Sequence, residues 1–354
     1  MARHTMARDD LRTVEAVEID LDAEVLAEPT EATGGRLIES NPVSGPIRVP
    51  RKATLGDTGI AVHPLALGGS VFGWTLSHEA SFDVLDRFAA LGGELIDTAD
   101  AYASGRSEQI IGAWLADRGL RERMTVMTKA GRHPEHRGLS PRSLQGAVDA
   151  SLARLGTERI DVLFFHGEDP EVPLEESLGA VDRLIAAGKV RSIGASDFSP
   201  ERLIEARVLA ANGLPRFQLV TTAYNLMDRR GFEGAPELVA HAQGLAVLPY
   251  FALAGGFLGG RVRRRTDLRH DARGARLARH LGRRGHRVLA ALDDIAEEHG
   301  VTPAAIAVAW LQSRSTVAAP VAGVSHPEQV DGLIAAASVQ LQRSELVELD
   351  RASA

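Results

Sequence analysis

From residue 65 onward the chain repeats one unit: a short apolar run, a break, then a stretch of helical period. The apolar runs are Leu65–Gly68, Glu94–Asp97, Thr125–Thr128, Asp161–Phe165, Val190–Ala195, Phe217–Val220, Ala246–Tyr250 and Val317–Ala322. Each has strand length and stops at turn or polar residues. Between them the apolar spacing predicts helices over Glu79–Leu91, Ser107–Ala116, Pro141–Leu155, Leu174–Ala187, Pro200–Ala211 and Gly234–Gln243, then the pair His286–Glu298 and Pro303–Gln312. Ser140-Pro141, Ser199-Pro200 and Thr302-Pro303 put a capping oxygen before a proline at a first helical position. Strict alternation of strand and helix implies a parallel sheet with helical crossovers. Eight units point to a closed (β/α)8 TIM barrel. The open doubly wound sheet competes, but LeuGlyGlySerValPheGly (67–73) lacks the G-x-G-x-x-G spacing of its first turn. A short N-terminal β-hairpin, with Gly in its turn, is expected over Arg51–Val62. Two extra helices, Pro327–Ala336 and Ser344–Ala352, exceed the eight-unit count and are expected to cover a barrel end.

Residues 1–48 have a different character. Asp9 to Glu39 is rich in acids and has no aromatic residue, and AsnProValSerGlyPro (41–46) has linker composition. The expectation is a flexible acidic extension over 1–48 and a single barrel domain over 49–354. A net charge of -7 gives no support for nucleic-acid binding. With no cysteine, thiol catalysis and disulfides are excluded, which fits a cytoplasmic protein. No apolar run approaches the ~20 residues a membrane span needs, and the N-terminus lacks a signal-type apolar core. Neither a membrane partner nor a nucleic-acid partner is expected, and the oligomeric state is not legible.

Four polar side chains follow the apolar runs in order: Asp97, Tyr102, Lys129 and His166. In a parallel barrel the C-terminal strand ends share one face, and that face carries the chemistry. Singly, each has a bland explanation: a helix cap, a core-edge phenol, a solvated amine, a structural imidazole. Collected at one mouth, they suggest acid–base chemistry on a small molecule.

AspThrAlaAspAlaTyr (97–102), MetThrLysAla (127–130), AspValLeuPhePheHis (161–166), GlyLysValArgSerIleGly (188–194), GlyAlaSerAspPhe (194–198), PheGlnLeuVal (217–220) and ProGluGlnVal (327–330) together resemble the aldo-keto reductases, over roughly residues 51–352. The resemblance implies a (β/α)8 barrel that reduces an aldehyde or ketone with NADP(H), NAD(H) being possible. It implies a tetrad of Asp97, Tyr102, Lys129 and His166, with Tyr102 as general acid. Carbonyl reduction needs a hydride, which no side chain can supply, and a proton from an acid poised near neutrality. A phenol has an unperturbed pKa near 10, and a neighbouring ammonium lowers it, so Lys129 is expected to tune Tyr102. Asp97 would hold Lys129, and His166 would hydrogen-bond the carbonyl oxygen. A keto-sugar or nucleotide-sugar reductase, and a cofactor-binding subunit or sensor without turnover, stay open as alternatives.

The resemblance also implies a cofactor pocket. Gly69 and Ser70 follow the first strand; Ser196, Asp197 and Gln218 match residues at the nicotinamide carboxamide; Tyr250 matches the ring that stacks on it. Asp197 stands where relatives carry Asn, and offers acceptors only. Leu253, Gly255, Gly256 and Arg261 match the phosphate-facing segment, and Gly323, Ser325 and Gln329 the adenosine end. Ser325 stands where many relatives carry a cation, so the preference for NADPH is expected to be reduced. Trp74 is expected to line the substrate mouth. The eleven Arg of 261–287 suggest either a long solvated loop or a lid over the phosphates. His133 and His136 lack a third ligand, so a surface loop is expected rather than a metal site.

Overall fold

A computed structural model of the chain describes residues 52–268 and 274–354. The acidic extension expected over 1–48 and the middle of the arginine run lie outside the described residues. The chain starts with a hairpin of β1 (Ala53–Thr54) and β2 (Ala61–Val62), paired antiparallel. Then follow β3 (Ala66–Gly68), β4 (Leu95–Asp97), β5 (Thr125–Ala130), β6 (Ile160–His166), β7 (Val190–Ser196), β8 (Phe217–Ala223), β9 (Ala246–Tyr250) and β10 (Val321–Ala322). These eight form one parallel sheet in the order β10-β3-β4-β5-β6-β7-β8-β9. The ring closes through Val317: Val247 N–H donates to Thr316 O at 3.0 Å, and Ala318 N–H donates to Val247 O at 2.9 Å. The expected eighth strand is therefore split, one part pairing β9 and the other β3.

The helices are α1 (His78–Ala90), α2 (Arg106–Arg118), α3 (Pro141–Leu155), α4 (Leu174–Ala186), α5 (Pro200–Ala211), α6 (Ala235–Gln243), α7 (Gly274–Ala278), α8 (Arg283–His299), α9 (Pro303–Gln312), α10 (Glu328–Ala335) and α11 (Arg343–Ala352). The three Ser/Thr-Pro starts behave as caps: Ser140, Ser199 and Thr302 accept from the N–H of Ser143, Arg202 and Ala305. None of the helices is long and apolar enough to cross a membrane among the described residues.

Two cores follow from the period-two alternation of the strands. Leu95, Met127, Val162, Phe164, Leu219 and Leu248 fill the barrel interior, over a floor made by Leu55, Ile60 and Val62 of the hairpin. Their neighbours Ile96, Val126, Leu163, Phe165, Val220 and Val247 point outward into the helix layer. Trp114 and Trp310 are sealed in that outer layer, as their helical context suggested. Extending the inward series one step toward the C-terminal ends is informative. Leu95 leads to Asp97, Met127 to Lys129, Phe164 to His166, Gly194 to Ser196 and Leu248 to Tyr250. The apolar plug ends and polar groups continue in the same phase, so the barrel mouth inherits its side chains from the pleat.

The arginine run is no simple solvated loop. It contains α7 and the start of α8, and several of its guanidinium groups have partners. Arg263 grips Asp293 through two bonds of 2.7 and 2.8 Å, and Arg284 donates to the carbonyls of Leu226, Met227 and Ser353. Arg276 lies 5.3 Å over the Phe251 ring. The sequence could not show this, because its partners are main-chain carbonyls and acids distant along the chain.

Candidate active site at the barrel mouth

Lys129 is the hub of the mouth. Its ammonium donates to Asp97 Oδ1 at 2.6 Å, to the Thr98 carbonyl at 3.1 Å and to the Tyr102 hydroxyl oxygen at 3.3 Å. Asp97 and Lys129 are almost fully buried, at 4% and 2% exposed, so neither charge could persist without the other. Tyr102 is half-buried and meets the His166 ring edge-on, with centroids 6.1 Å apart. Tyr102 sits on a tight turn, Tyr102–Gly105, in which Ala103 and Ser104 have φ of 49° and 54°. Asp197, Phe251 and Ala254 share this left-handed conformation, and each follows a strand at the same barrel end. Backbone strain in non-glycine residues gathers where side chains are held in place for function.

The electrostatics follow from burial against one or two cations. Burial works against the Lys129 ammonium, but Asp97 and Tyr102 outweigh it and hold its pKa above the ordinary value. Burial raises the Asp97 carboxyl, with Lys129 pulling the other way. For Tyr102 the expectation needs correcting. Lys129 does pull its pKa down, but burial is the larger effect and the net direction is upward. Partial loss of water around the phenol resists ionisation more than one amine at 3.3 Å favours it. The unliganded phenol is therefore a proton carrier at neutral pH. His166 is held well below its ordinary value by burial, then by Lys129 and Arg132, so it is neutral. Its Nδ1 is buried without a partner among the described residues, while the residue lines the mouth cleft. Placing the ring proton on Nε2 leaves only a lone pair sealed at Nδ1 and a donor at the open side.

On the adjoining strands, Ser196 lies level with His166, and Thr221 with Ser196. The Tyr250 hydroxyl donates to both Asp197 carboxylate oxygens, at 3.0 and 3.1 Å. Burial and this contact with Asp197 both raise the Tyr250 pKa. Burial also raises Asp197, with the Tyr250 bond opposing it.

Gln218 is a correction. It lies at the opposite end of its strand, where its Oε1 accepts from Asp57 N–H at 3.1 Å in the hairpin turn. The register of β7 and β8 skips from Phe217 to Leu219, so Gln218 is the bulged residue. The apolar run ends at Val220, but the strand continues to Ala223. The sequence reading thus missed Thr221 and Thr222, whose place was recoverable only by counting inward positions past the apolar stretch.

The remaining candidates fall into three groups. Gly69 is buried, its N–H donating to Asp97 O at 2.7 Å and its carbonyl accepting from Ser107, beside exposed Ser70. Leu253, Gly255, Gly256 and Arg261 follow β9. Gly255 and Gly256 have φ of 71° and 104°, a backbone that side chains resist. Arg261 is exposed with no partner among the described residues. Gly323, Ser325 and Gln329 follow β10, where Gln329 Oε1 accepts from the N–H of Ser325 at 2.8 Å and of His326 at 3.3 Å. No bond joins these last two groups to the Lys129 hub among the described residues. Trp74 is 53% exposed on the loop after β3. His133 is buried rather than on the surface, its Nδ1 accepting from Glu135 N–H at 3.3 Å.

A nicotinamide cofactor fits these residues. The Tyr250 ring and the Asp197 carboxylate frame one side of the mouth, and the paired glycines after β9 offer a bare backbone with unusual dihedrals for close approach. The residues at the ends of β7, β9 and β10 would hold it, with Ser196 and Asp197 next to His166.

Comparison with known proteins agrees. The family model described as "Aldo/keto reductase family" matches residues 64–354. Norsolorinic acid reductase of Emericella nidulans is 34% identical over 313 residues, covering 82% of this chain and 78% of that protein. Versiconal hemiacetal acetate reductase of Aspergillus parasiticus is 30% identical over 332 residues, covering 84% and 95%. A putative aryl-alcohol dehydrogenase of Saccharomyces cerevisiae is 30% identical over 333 residues, covering 86% and 87%. With its eight-stranded parallel barrel and a lysine-centred mouth, the chain belongs to the aldo/keto reductase family.

Proposed function

We propose that the protein reduces an aryl aldehyde or ketone to the alcohol, with Tyr102 as proton donor and NADPH as the usual reductant. The observation that carries this reading is the Lys129 ammonium placed between Asp97 at 2.6 Å and the Tyr102 hydroxyl at 3.3 Å. A reduced nicotinamide, when bound, supplies the hydride. The chain's residues manage the proton. Because Lys129 donates to the phenol oxygen, the Tyr102 O–H is free to point at a carbonyl oxygen in the mouth. Neutral His166 offers Nε2–H to the same oxygen and polarises it. As the phenol gives up its proton, the Lys129 ammonium stabilises the oxygen left behind, and Asp97 keeps that ammonium charged. The aryl preference rests on relatives named for aryl alcohols and on a mouth framed by Tyr102, Tyr250 and Phe251. NADPH is proposed over NADH with a modest margin, because Ser325 offers a hydroxyl where a guanidinium would bind a phosphate more strongly. The ratio of kcat/KM for the two cofactors measures that margin.

The test is Tyr102→Phe. Loss of a general acid costs about 10²–10⁴ in kcat. Cofactor affinity, read by quenching of tryptophan fluorescence, should stay near wild type. A variant that keeps wild-type turnover removes Tyr102 from the reaction.

A further inference from the structure

A cleft of about 520 Å³ opens beside His166 on the loops after β5 and β6. It borders the proposed cofactor residues at Asp197 and runs outward from there past His166 along the two loops, so it is placed for substrate. Its volume is within the range of small-ligand pockets, roughly 300–1,000 Å³. Two guanidinium groups line it, those of Arg132 and Arg137. Many arginines elsewhere in the described chain are bonded to carboxylates, but these two are not. Arg132 donates only through Nε, to the His166 carbonyl at 2.7 Å, and Arg137 has no partner among the described residues. Gly167, at φ 110°, leaves room for the Arg132 head: an added Cβ would stand 3.2 Å from its Nη2. The backbone is thus shaped around a cation whose remaining donors have no partner among the described residues.

The cleft also has acids, and most are committed. Asp169 accepts from the N–H of Leu139 and Glu171 at 2.8 and 3.0 Å, and Glu168 accepts from Ser199 N–H at 2.5 Å. Asp197 holds Tyr250. Glu171, exposed at the rim, is the lining carboxylate whose oxygens have no partner among the described residues. The charges that shift the His166 ring are both positive. The charges that act on His166 are Lys129 and Arg132, and Arg132 also acts on Tyr102, Asp197 and Tyr250.

We infer that Arg132, assisted by Arg137, anchors an anionic substituent of the substrate, a carboxylate or an acidic phenolate, so that the enzyme prefers anionic carbonyl compounds to neutral ones. This rests on the reductase reading and names the substrate class of the same site. A planar guanidinium held by one bond through Nε still presents donors for a bidentate contact to such a group.

Two probes of nearly equal shape separate charge from size: 4-formylbenzoate and its neutral amide, 4-formylbenzamide. The wild-type chain should show higher kcat/KM for the anion. Arg132→Gln should reduce the anion-to-amide ratio about tenfold, mainly through KM, and Arg137→Gln should reduce it less. Arg132→Lys should restore part of the ratio, and rising salt should lower it in the wild type. A wild-type ratio at or below one, or a ratio untouched by Arg132→Gln, overturns the inference. Calorimetric titration of the full chain with 4-formylbenzoate, without reductant, measures binding independently of turnover. Equal affinity in wild type and Arg132→Gln sinks the anion site. Weaker binding in the variant, with no reduction of either aldehyde by wild type, keeps the anion site and sinks the reductase reading instead.

Discussion

Asp100 is fully buried two residues before the proposed proton donor, and its surroundings satisfy it poorly. One oxygen accepts a long bond from Gly131 N–H at 3.4 Å; the other, Oδ1, has no partner among the described residues. Burial, then the nearby Glu108 carboxylate, pushes its pKa up to about 7. Since the unfolded chain would hold this acid near 3.8, the folded state binds the extra proton between those values. Stability is unaffected below pH 3.8, falls as pH rises toward 7, and above that carries a penalty on the order of 4 kcal/mol. Asp100→Asn keeps an acceptor for Gly131 and cannot ionise. It should therefore raise the thermal midpoint more at pH 8 than at pH 5, as scanning calorimetry would register. Equal gains at both values would mean that Asp100 does not titrate in this range. The sequence showed Asp100 only as a letter in a motif; its raised pKa comes first from burial and then from the helix that brings Glu108 beside it.

That helix, α2, illustrates what whole elements contribute. Gly112 lies where α2 crosses α3, and a Cβ there would stand 2.6 Å from the Leu155 carbonyl carbon and oxygen. The backbones meet because nothing separates them, and the same approach lets Arg154 of α3 reach Glu108 of α2 at 2.7 Å. Glu108 in turn accepts from Thr128 on β5 at 2.5 Å, which links the helix pair to the strand that carries Lys129. Gly112→Ala must push the helices apart, at a cost of about 1–3 kcal/mol. Urea unfolding should show a lower midpoint with an unchanged slope, and a midpoint equal to wild type would contradict the crossing geometry. Strand and helix positions were legible from periodicity because that signal is local. Strand ends were less so: β5, β6, β7 and β8 all run past their apolar stretch, since at the mouth the inward positions turn polar while the ladder continues.

At the scale of the whole molecule, the last helix closes the structure. Asp350 of α11 accepts from the buried Trp310 indole at 3.0 Å and pairs with Arg229 at 3.1 Å and with Arg314. Both guanidinium groups also lie over the Trp310 ring, at 5.4 and 4.2 Å. One carboxylate therefore ties α11 to α9 and to the loop after β8. Asp350→Ala leaves two cations and an indole N–H short of their acceptor in a partly exposed place, and should cost about 1–2 kcal/mol. A fall in the thermal midpoint would register it, and a variant as stable as wild type would refute the tie.

By itself the sequence determined the barrel, the order of its strands and the identity of the four polar groups after them, because alternation and period are carried by neighbouring residues. It also carried the family through short motifs in fixed order. Only the tertiary structure decided that Tyr102 is held protonated by burial against the pull of Lys129, that Gln218 faces the floor and Thr221 the mouth, and that Arg132 stands uncommitted beside His166. Each of these depends on distance across the sheet and on exclusion of water, and neither quantity is encoded at any one position of the chain.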